Sequence, residues 1–367
     1  MNTNHNTTVV VAMSGGVDSS VTAALLKEQG YNVIGMMMRL WAEDTAADYG
    51  GHNRCCTPDQ MADARRIANL LDIPFYVIDT KNVFRQKIVQ FFIDEHSRGV
   101  TPNPCLECNR HIRFDWLLNH ALAMDADYLA TGHYARITRD EAGNHRLHMG
   151  RDPRKDQSYV LSVLTQEKIN RALFPIGDYE KPEVRRIADD LGLGVASKGD
   201  SQDLCFLGDG DYRRFLRDHA DAGIFAPGEI KMRDGTVLGQ HTGLPNYTIG
   251  QRKGLGVSYA EPLYVLRLDH AANALIVGTR EELGARALTA NRANWINGQP
   301  AQDTFRASVK IRYKATPAPA TVTLLDDDQF RVEFDEPRRD ITPGQGAVVY
   351  IEDRCLGGGN IVSQELA

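Results

Sequence analysis

The chain has 367 residues and a formal net charge of −6, with 42% hydrophobic and 25% charged residues. That length calls for two or three domains, and the balance is that of a water-soluble protein with ample apolar material for a core. It excludes a chain coated in basic residues and a membrane-spanning run, and six cysteines at this length are not a disulfide framework. The opening "MNTNHNTT" lacks the apolar stretch of a secretion signal, so a cytoplasmic location is expected.

In chain order, "TTVVVAM" reads as a buried strand, 19–29 as a helix and "YNVIGMMM" as a second strand. Apolar residues at helical spacing predict a helix over 58–71, and "IPFYVI" a third strand. Helices follow over 82–96 and 109–124, then a fourth strand in "ADYLATGH". Strands alternating with helices predict a parallel, Rossmann-like α/β sheet, whose ligands bind at the carboxyl ends of its strands. Beyond about Leu216 the texture changes to short alternating segments with Pro-Gly and Asp-Gly turns. We expect a nucleotide domain over 1–217, a small β-rich domain over 226–284 and a C-terminal β-barrel over 285–367. As independent units, removal of the chain after Gly284 would leave the first of them folded.

The turn after the first strand, "AMSGGVDSS", points backbone N–H groups and a helix N-terminus at one spot, which suits a phosphate. Ser14, Ser19 and Ser20 add hydroxyls, Gly15 and Gly16 allow a polyanion close to the backbone, and Asp18 can serve in part as the helix cap. A Walker-type loop carries a lysine for the β/γ-phosphates, and this turn has none. The string resembles the pyrophosphatase loop of the ATP-splitting α-hydrolase superfamily, in which ATP is cleaved between its α- and β-phosphates. That resemblance assigns ATP to Ala12, Met13, Ser14, Gly15, Gly16, Val17, Asp18 and Ser19. Met38 ends the second strand, where it can read adenine or simply pack. Gly132 ends the fourth, where a side chain would obstruct the nucleotide.

Further strings narrow the resemblance. "TPNPCLECNRHIRF", "ATGHYARI", "RDPRKDQSYVLSVL", "SQDLCFLG", "IGQRKGLG", "KIRYK" and "TPGQ", in this order and over nearly the whole chain, are similar to the tRNA-specific 2-thiouridylase family. The family replaces the 2-oxygen of the wobble uridine in certain tRNAs by sulfur. Taken alone, Cys105-x-x-Cys108 is half a zinc site or a redox pair, and no second such pair or close histidine pair completes a zinc site. The resemblance makes Cys108 and Cys205 the catalytic cysteines, Cys205 carrying a persulfide. Cys55 and Cys56 read as small residues packing near a loop, and Cys355 as core.

The implied reaction adenylates the uridine 2-oxygen, with magnesium as the counter-ion of ATP. The Cys205 persulfide, charged by a sulfur-donor protein, then supplies sulfur, and Cys108 resolves it into a 108–205 disulfide. Asn109, Arg110, His111 and Arg113 can promote the thiolates if they face the site. The resemblance also implies a tRNA anticodon stem-loop as partner. It implies contacts from Asn103, Pro104, Cys105, His133, Lys155, Asp156, Gln157, Arg312, Tyr313 and Gln345, and an extruded base near Asn103 and Pro104. Read alone, "KIRYK" is the solvated face of a strand, and Arg252 and Lys253 belong equally to a hairpin tip or a phosphate contact. The rival readings are another AMP-forming synthetase, against which stands the absence of any cysteine before Cys55, and a non-enzymatic RNA-binding scaffold.

Overall fold

The computed structural model describes residues 3–43, 57–199, 204–326 and 328–366, so Cys55, Cys56 and the "SQD" of "SQDLCFLG" lie outside the described residues. The first seven strands are β1 (Thr8–Ala12), β2 (Asn32–Arg39), β3 (Phe75–Asp79), β4 (Tyr128–Ala130), β5 (Ala135–Arg139), β6 (His145–Met149) and β7 (Ala172–Leu173). Five of them form an all-parallel sheet in the order β3-β2-β1-β4-β7. Val9, Val10 and Val11 of the central β1 are fully buried, as expected for a strand covered on both faces. The connections reverse direction between β1 and β4, and such a reversal opens a crevice at the carboxyl ends of those two strands. Helix α1 (Val17–Glu28) follows β1 and α2 (Pro58–Leu70) follows β2. Thr57 and Gln60 close a capping box at the start of α2, with Pro58 in its first turn.

The next helical runs cover 81–97 and 104–122, and each contains a widened stretch, Arg85–Val89 and Cys108–Leu117, with i→i+5 bonding. Widened turns of this kind concentrate at functional sites. The second run starts at Pro104 rather than near Asn109. Asn103 accepts hydrogen bonds from the N–H groups of Cys105 (3.1 Å) and Leu106 (3.4 Å), and Pro104 needs no partner for its nitrogen. Asn-Pro is therefore the start signal, and it puts Cys105 and Cys108 on the helix instead of the loop before it.

The small middle sheet contains β8 (Gly228–Met232), β9 (Val237–His241), β10 (Tyr264–Asp269) and β11 (Ala274–Gly278) in the order β10-β11-β8-β9. The Asp-Gly pair read as a turn does join β8 to β9, with Gly235 at φ +90°. The C-terminal strands are β12 (Ala285–Trp295), β13 (Thr304–Lys310), β14 (Ala318–Leu324), β15 (Phe330–Arg338), β16 (Gly346–Ile351) and β17 (Arg354–Leu366). They run β12-β15-β14-β13-β16-β17, and pairing of β17 with β12 closes them into a six-stranded barrel. Strand β13 ends at Lys310, so Arg312 to Lys314 of "KIRYK" lie in the turn that follows and not on a strand face. No helix among the described residues is long and apolar enough to cross a membrane.

The barrel is not a separate unit. The β5–β6 hairpin, which the sequence reading did not find, pairs with β17 and carries the barrel sheet into the first module. One apolar cluster joins Leu147, Tyr159 and Leu161 to Ile296, Val348, Tyr350 and Cys355 of the barrel. Asn294 of β12 donates to the carbonyls of Ser162 (2.7 Å) and Leu164 (2.9 Å), which adds polar contacts to that seam. These contacts argue against an independently folded first module. Truncation after Gly284 uncovers Leu147 and Tyr159, both fully buried in the intact chain, and is expected to abolish cooperative unfolding. Circular dichroism melts and limited proteolysis of the 1–284 fragment test this, and a protease-resistant fragment with a sharp melt would contradict it.

Candidate nucleotide and sulfur-transfer site

The phosphate-binding turn lies at the reversal crevice. Gly15 has φ +72°, and a Cβ there would sit 2.2 Å from the carbonyl oxygen of Gln60 in α2, so glycine is required twice over. Gly16 is the N-cap of α1, and no side chain caps it, which leaves the opening N–H groups of the helix directed at the crevice. Ser14 and Ser19 meet at the mouth of the turn, where the Ser19 hydroxyl accepts from the Ser14 N–H at 3.1 Å. Both Ser19 (3.3 Å) and Ser20 (2.7 Å) donate their hydroxyls back to the Gly16 carbonyl, and Ser20 is the one sealed off completely. Met13 and Val17 are core residues that fix the ends of the turn, and Ala12 is half-buried at the end of β1.

Asp18 is not the cap. Its carboxylate accepts from Lys181 Nζ through both oxygens at 2.8 Å and from the Tyr134 hydroxyl at 2.7 Å. The lysine that the turn lacks in sequence is thus supplied from 163 positions downstream. Lys181 opens the helix Lys181–Asp190, is buried, and has its backbone N–H bonded to Asp152. A second lysine arrives from another segment, Lys198, which donates to the Gly15 carbonyl at 3.0 Å and to Asp63 of α2. Burial pulls the Asp63 carboxyl upward, and hydrogen bonds from Lys198 and Arg66 outweigh it and hold the group below its ordinary value. Sequence reasoning missed both lysines because nothing local marks them.

Gly132 follows β4 and is restricted by the turn as well as by any nucleotide there. A Cβ there would come within 2.8 Å of the backbone of Asp18 and Ser19, so the glycine lets β4 press against the turn itself. Met38 is half-buried at the end of β2 and packs against two apolar clusters at once. One of them contains Cys108, with Cys205 packed against it, beside Phe206, Leu207 and Ile112. The two cysteines expected to act together therefore share one patch at the carboxyl end of the sheet. Cys108 is buried, Cys205 is half-buried and Cys105, one turn away, is exposed. Cys355 is buried in the apolar cluster that joins the barrel to the first module, where burial pushes its thiol up to about 12 and makes it inert.

The polar groups beside Cys108 are engaged with one another. Asn109 is fully buried and donates to the carbonyls of Cys105 (3.2 Å) and Val160 (3.1 Å). Glu107 draws in Arg110 (3.6 Å), His111 (3.2 Å) and Arg292 of the barrel (3.1 Å). Arg113 donates to Asn109. The chain segment after Cys205 is anchored by Glu43, which meets Arg214, His219 and the N–H of Gly208. Burial raises the Glu43 carboxyl, and hydrogen bonds from Arg214 and His219 outweigh it and hold the group below its ordinary value.

The expected RNA-contact residues fall into two groups. Asn103, Gln345 and Tyr313 are brought together around the buried Tyr159, which was not among the expected contacts, although the barrel and the helix N-terminus lie far apart in sequence. Gln345 donates to the carbonyls of Thr101 (2.9 Å) and Pro102 (3.3 Å) and accepts from Asn103, and Tyr313 meets the edge of Tyr159 with ring centroids 6.4 Å apart. Pro104 is buried under this contact, and Arg312 is exposed beside it, paired with Asp340. Asp156 and Gln157 belong to the second group, turned inward. Asp156 is buried against Lys310 and the N–H groups of Gly150 and Ser158, and Gln157 clamps the backbone of Tyr134 in both directions. Lys155 is half-buried in the turn before them. His133 is buried against Phe114 and Phe174 and bonds Thr131 at 2.6 Å. Burial, with Arg113 nearby, holds it well below its usual pKa, so it is neutral at pH 7.

The loop, the sheet reversal above it and the uncapped helix define the class: a nucleotide-binding α/β domain of the pyrophosphate-loop type. Family models agree, matching a tRNA methyl transferase HUP domain over residues 7–209, a PRC-barrel domain of the same group over 213–279 and an aminomethyltransferase β-barrel domain over 285–361. A protein of Geobacter metallireducens named tRNA-specific 2-thiouridylase MnmA is 49% identical over 353 residues, 96% of this chain and 95% of its own. One of the same name from Moorella thermoacetica is 50% identical over 355 residues, 96% of this chain and 99% of its own. Among solved structures, the U34-tRNA thiolase NcsA of Methanococcus maripaludis aligns at 21% identity and TM-score 0.36, covering 59% of this chain and 65% of its own. The chain belongs to the tRNA-specific 2-thiouridylase family.

Two outcomes follow from this geometry. Asp156→Ala strands the buried Lys310 ammonium and is expected to cost about 3–5 kcal/mol of stability in urea unfolding, whereas an RNA contact alone would leave stability unchanged. Glu43, held below its ordinary value of 4.5, contributes stability that is complete above pH 4.5 and lost as pH falls through its folded value. The stability gap between wild type and Glu43→Gln should therefore narrow as pH drops below 4.5, and a constant gap would contradict the anchoring role.

Proposed function

We propose that this protein is an ATP-dependent tRNA 2-thiouridylase, which converts the wobble uridine of its tRNA substrates to 2-thiouridine. The observation that carries the reading is the convergence of a lysine-assisted pyrophosphate turn and two cysteines at one edge of one sheet. A uridine 2-oxygen leaves poorly, and transfer of AMP to it makes a good leaving group. The uncapped N–H groups of α1, with Ser14 and Ser19, receive the phosphates of ATP, which arrives with magnesium as counter-ion. Lys181 supplies positive charge where pyrophosphate departs, and Asp18 and Tyr134 hold that ammonium at the turn. Met38 and Gly132 border the space for the nucleoside.

Cys205 brings sulfur as a persulfide from a donor protein. The terminal sulfur attacks C2 of the activated uridine and AMP leaves with the former oxygen. The Cys108 thiolate then attacks the Cys205 sulfur, the persulfide S–S bond breaks, 2-thiouridine departs with the outer sulfur, and a 108–205 disulfide remains. The RNA lies across the face where Asn103, Pro104, Cys105, Tyr313 and Gln345 meet, with the modified base turned out of its stack. Arg312 at the rim contributes charge toward phosphate, so binding weakens as salt rises even though the chain as a whole is acidic.

The test is product analysis with labelled ATP and purified tRNA. AMP and pyrophosphate should appear only with tRNA present, together with 2-thiouridine in the digested nucleosides. Lys181→Met and Asp18→Asn should each lower turnover per folded molecule by about 10²-fold or more, the folded fraction being read from the melting curve of each variant. Release of ADP and phosphate, or tRNA returned without 2-thiouridine, would overturn the reading.

A further inference from the structure

We infer that Cys105 is a second resolving thiol, which takes the disulfide from Cys108 and releases Cys205 for a new charge of sulfur. The inference rests on the persulfide reading above and concerns the state that reading leaves behind. After each turnover Cys108 and Cys205 are joined, and the enzyme is idle until Cys205 is a thiol again. An external thiol that attacks the sulfur of Cys205 leaves a mixed disulfide on that same residue. Only attack on the sulfur of Cys108 frees Cys205 in one step, because the electron pair of the broken bond departs on the sulfur not attacked. Cys108 is 7% exposed and packed among Ile112, Phe206 and Leu207, where a bulky reductant has no approach.

Cys105 is placed for that attack. It is exposed, lies in the opening turn of the helix fixed by Asn103 and Pro104, and precedes Cys108 by three residues. The Cys108 N–H bonds back to the Cys105 carbonyl, and the buried Asn109 amide holds the same carbonyl at 3.2 Å. Side chains three apart on a helix are neighbours, with Cβ atoms about 5–6 Å apart, so a small adjustment of one turn brings the two sulfurs to bonding distance. The exchange balances. A bond forms between the sulfurs of Cys105 and Cys108, the 108–205 bond breaks, and Cys205 leaves as thiolate and takes a proton from water. One disulfide replaces another with no net oxidation. The new bond includes the exposed Cys105, where an external dithiol reductant reaches it. The exposed and buried members of the pair thus divide the work, one facing the reductant and one facing the persulfide.

The experiment uses the full-length protein charged at Cys205 with a low-molecular-weight persulfide, then given tRNA and ATP without reductant. Samples are acid-quenched at intervals, alkylated, digested with trypsin and mapped by mass. Cys105 and Cys108 fall in one tryptic peptide, 99–110, and Cys205 in another, 199–213, so the two disulfides differ as a loop within a peptide and a cross-link between peptides. In wild type the cross-link should form first and decay into the loop, with the Cys205 peptide becoming alkylatable. In Cys105→Ser under the same conditions the cross-link should persist at least about tenfold longer, since the adjacent thiol that breaks it is gone. A wild-type cross-link that never becomes the loop, while 2-thiouridine forms, overturns this inference and leaves the functional reading standing. Thiolation with no disulfide at all overturns the persulfide step and this inference together. Absence of 2-thiouridine overturns the functional reading itself.

Discussion

The ion pair between Asp18 and Lys181 is the constraint around which the nucleotide site is arranged. It joins the first turn of α1 to the first turn of a helix 163 residues away, and Tyr134, just beyond β4, closes the third side. A lysine within the turn would have placed its charge on the loop alone. The distributed arrangement makes the charge at the crevice depend on three separate segments being docked together, so the site exists only when the sheet and its covering helices are complete. Lys198 repeats the principle on the other side of the turn, where it ties the Gly15 carbonyl to α2.

Much of the fold was legible because its signals are local. The triple valine of β1, the glycines of the turn, the Pro58 start of α2 and the Asp-Gly hairpin of the middle sheet are each set by neighbours in sequence. The β5–β6 hairpin escaped because both strands are short and half-exposed, and their stability comes from β17 more than from their own pattern. The start of the helix at Pro104 was readable from Asn-Pro, and the reading began five residues late by weighing apolar spacing above capping chemistry.

The site divides along the same line. Gly15, Gly16, Ser14 and the cysteine positions follow from motif and resemblance, whereas Lys181, Lys198, Tyr134 and Glu43 are long-range partners that no spacing rule connects. Asp156 adds a long-range partner of its own. In "RKDQS" the resemblance implies an RNA contact, and the chain buries its carboxylate against Lys310 from the barrel, where it organises the turn. A buried pair of this kind adds little net stability while making separation of its two halves expensive. That asymmetry suits a seam that has to stay closed between two modules.

The seam also sets an order of events in synthesis. Strand β6 pairs at once with β5 but finds its second sheet partner only when β17 emerges, some two hundred residues later, and Thr101 beside the cysteine helix bonds the carbonyl of Pro343. Contacts of such long sequence separation form late and slowly, after shorter-range elements have collapsed. A nascent chain that has already made its phosphate turn still lacks the barrel wall behind Asn103. The cysteine helix therefore acquires its final setting among the last events of folding, and a ribosome-bound fragment carries its thiols without the barrel contacts that flank them.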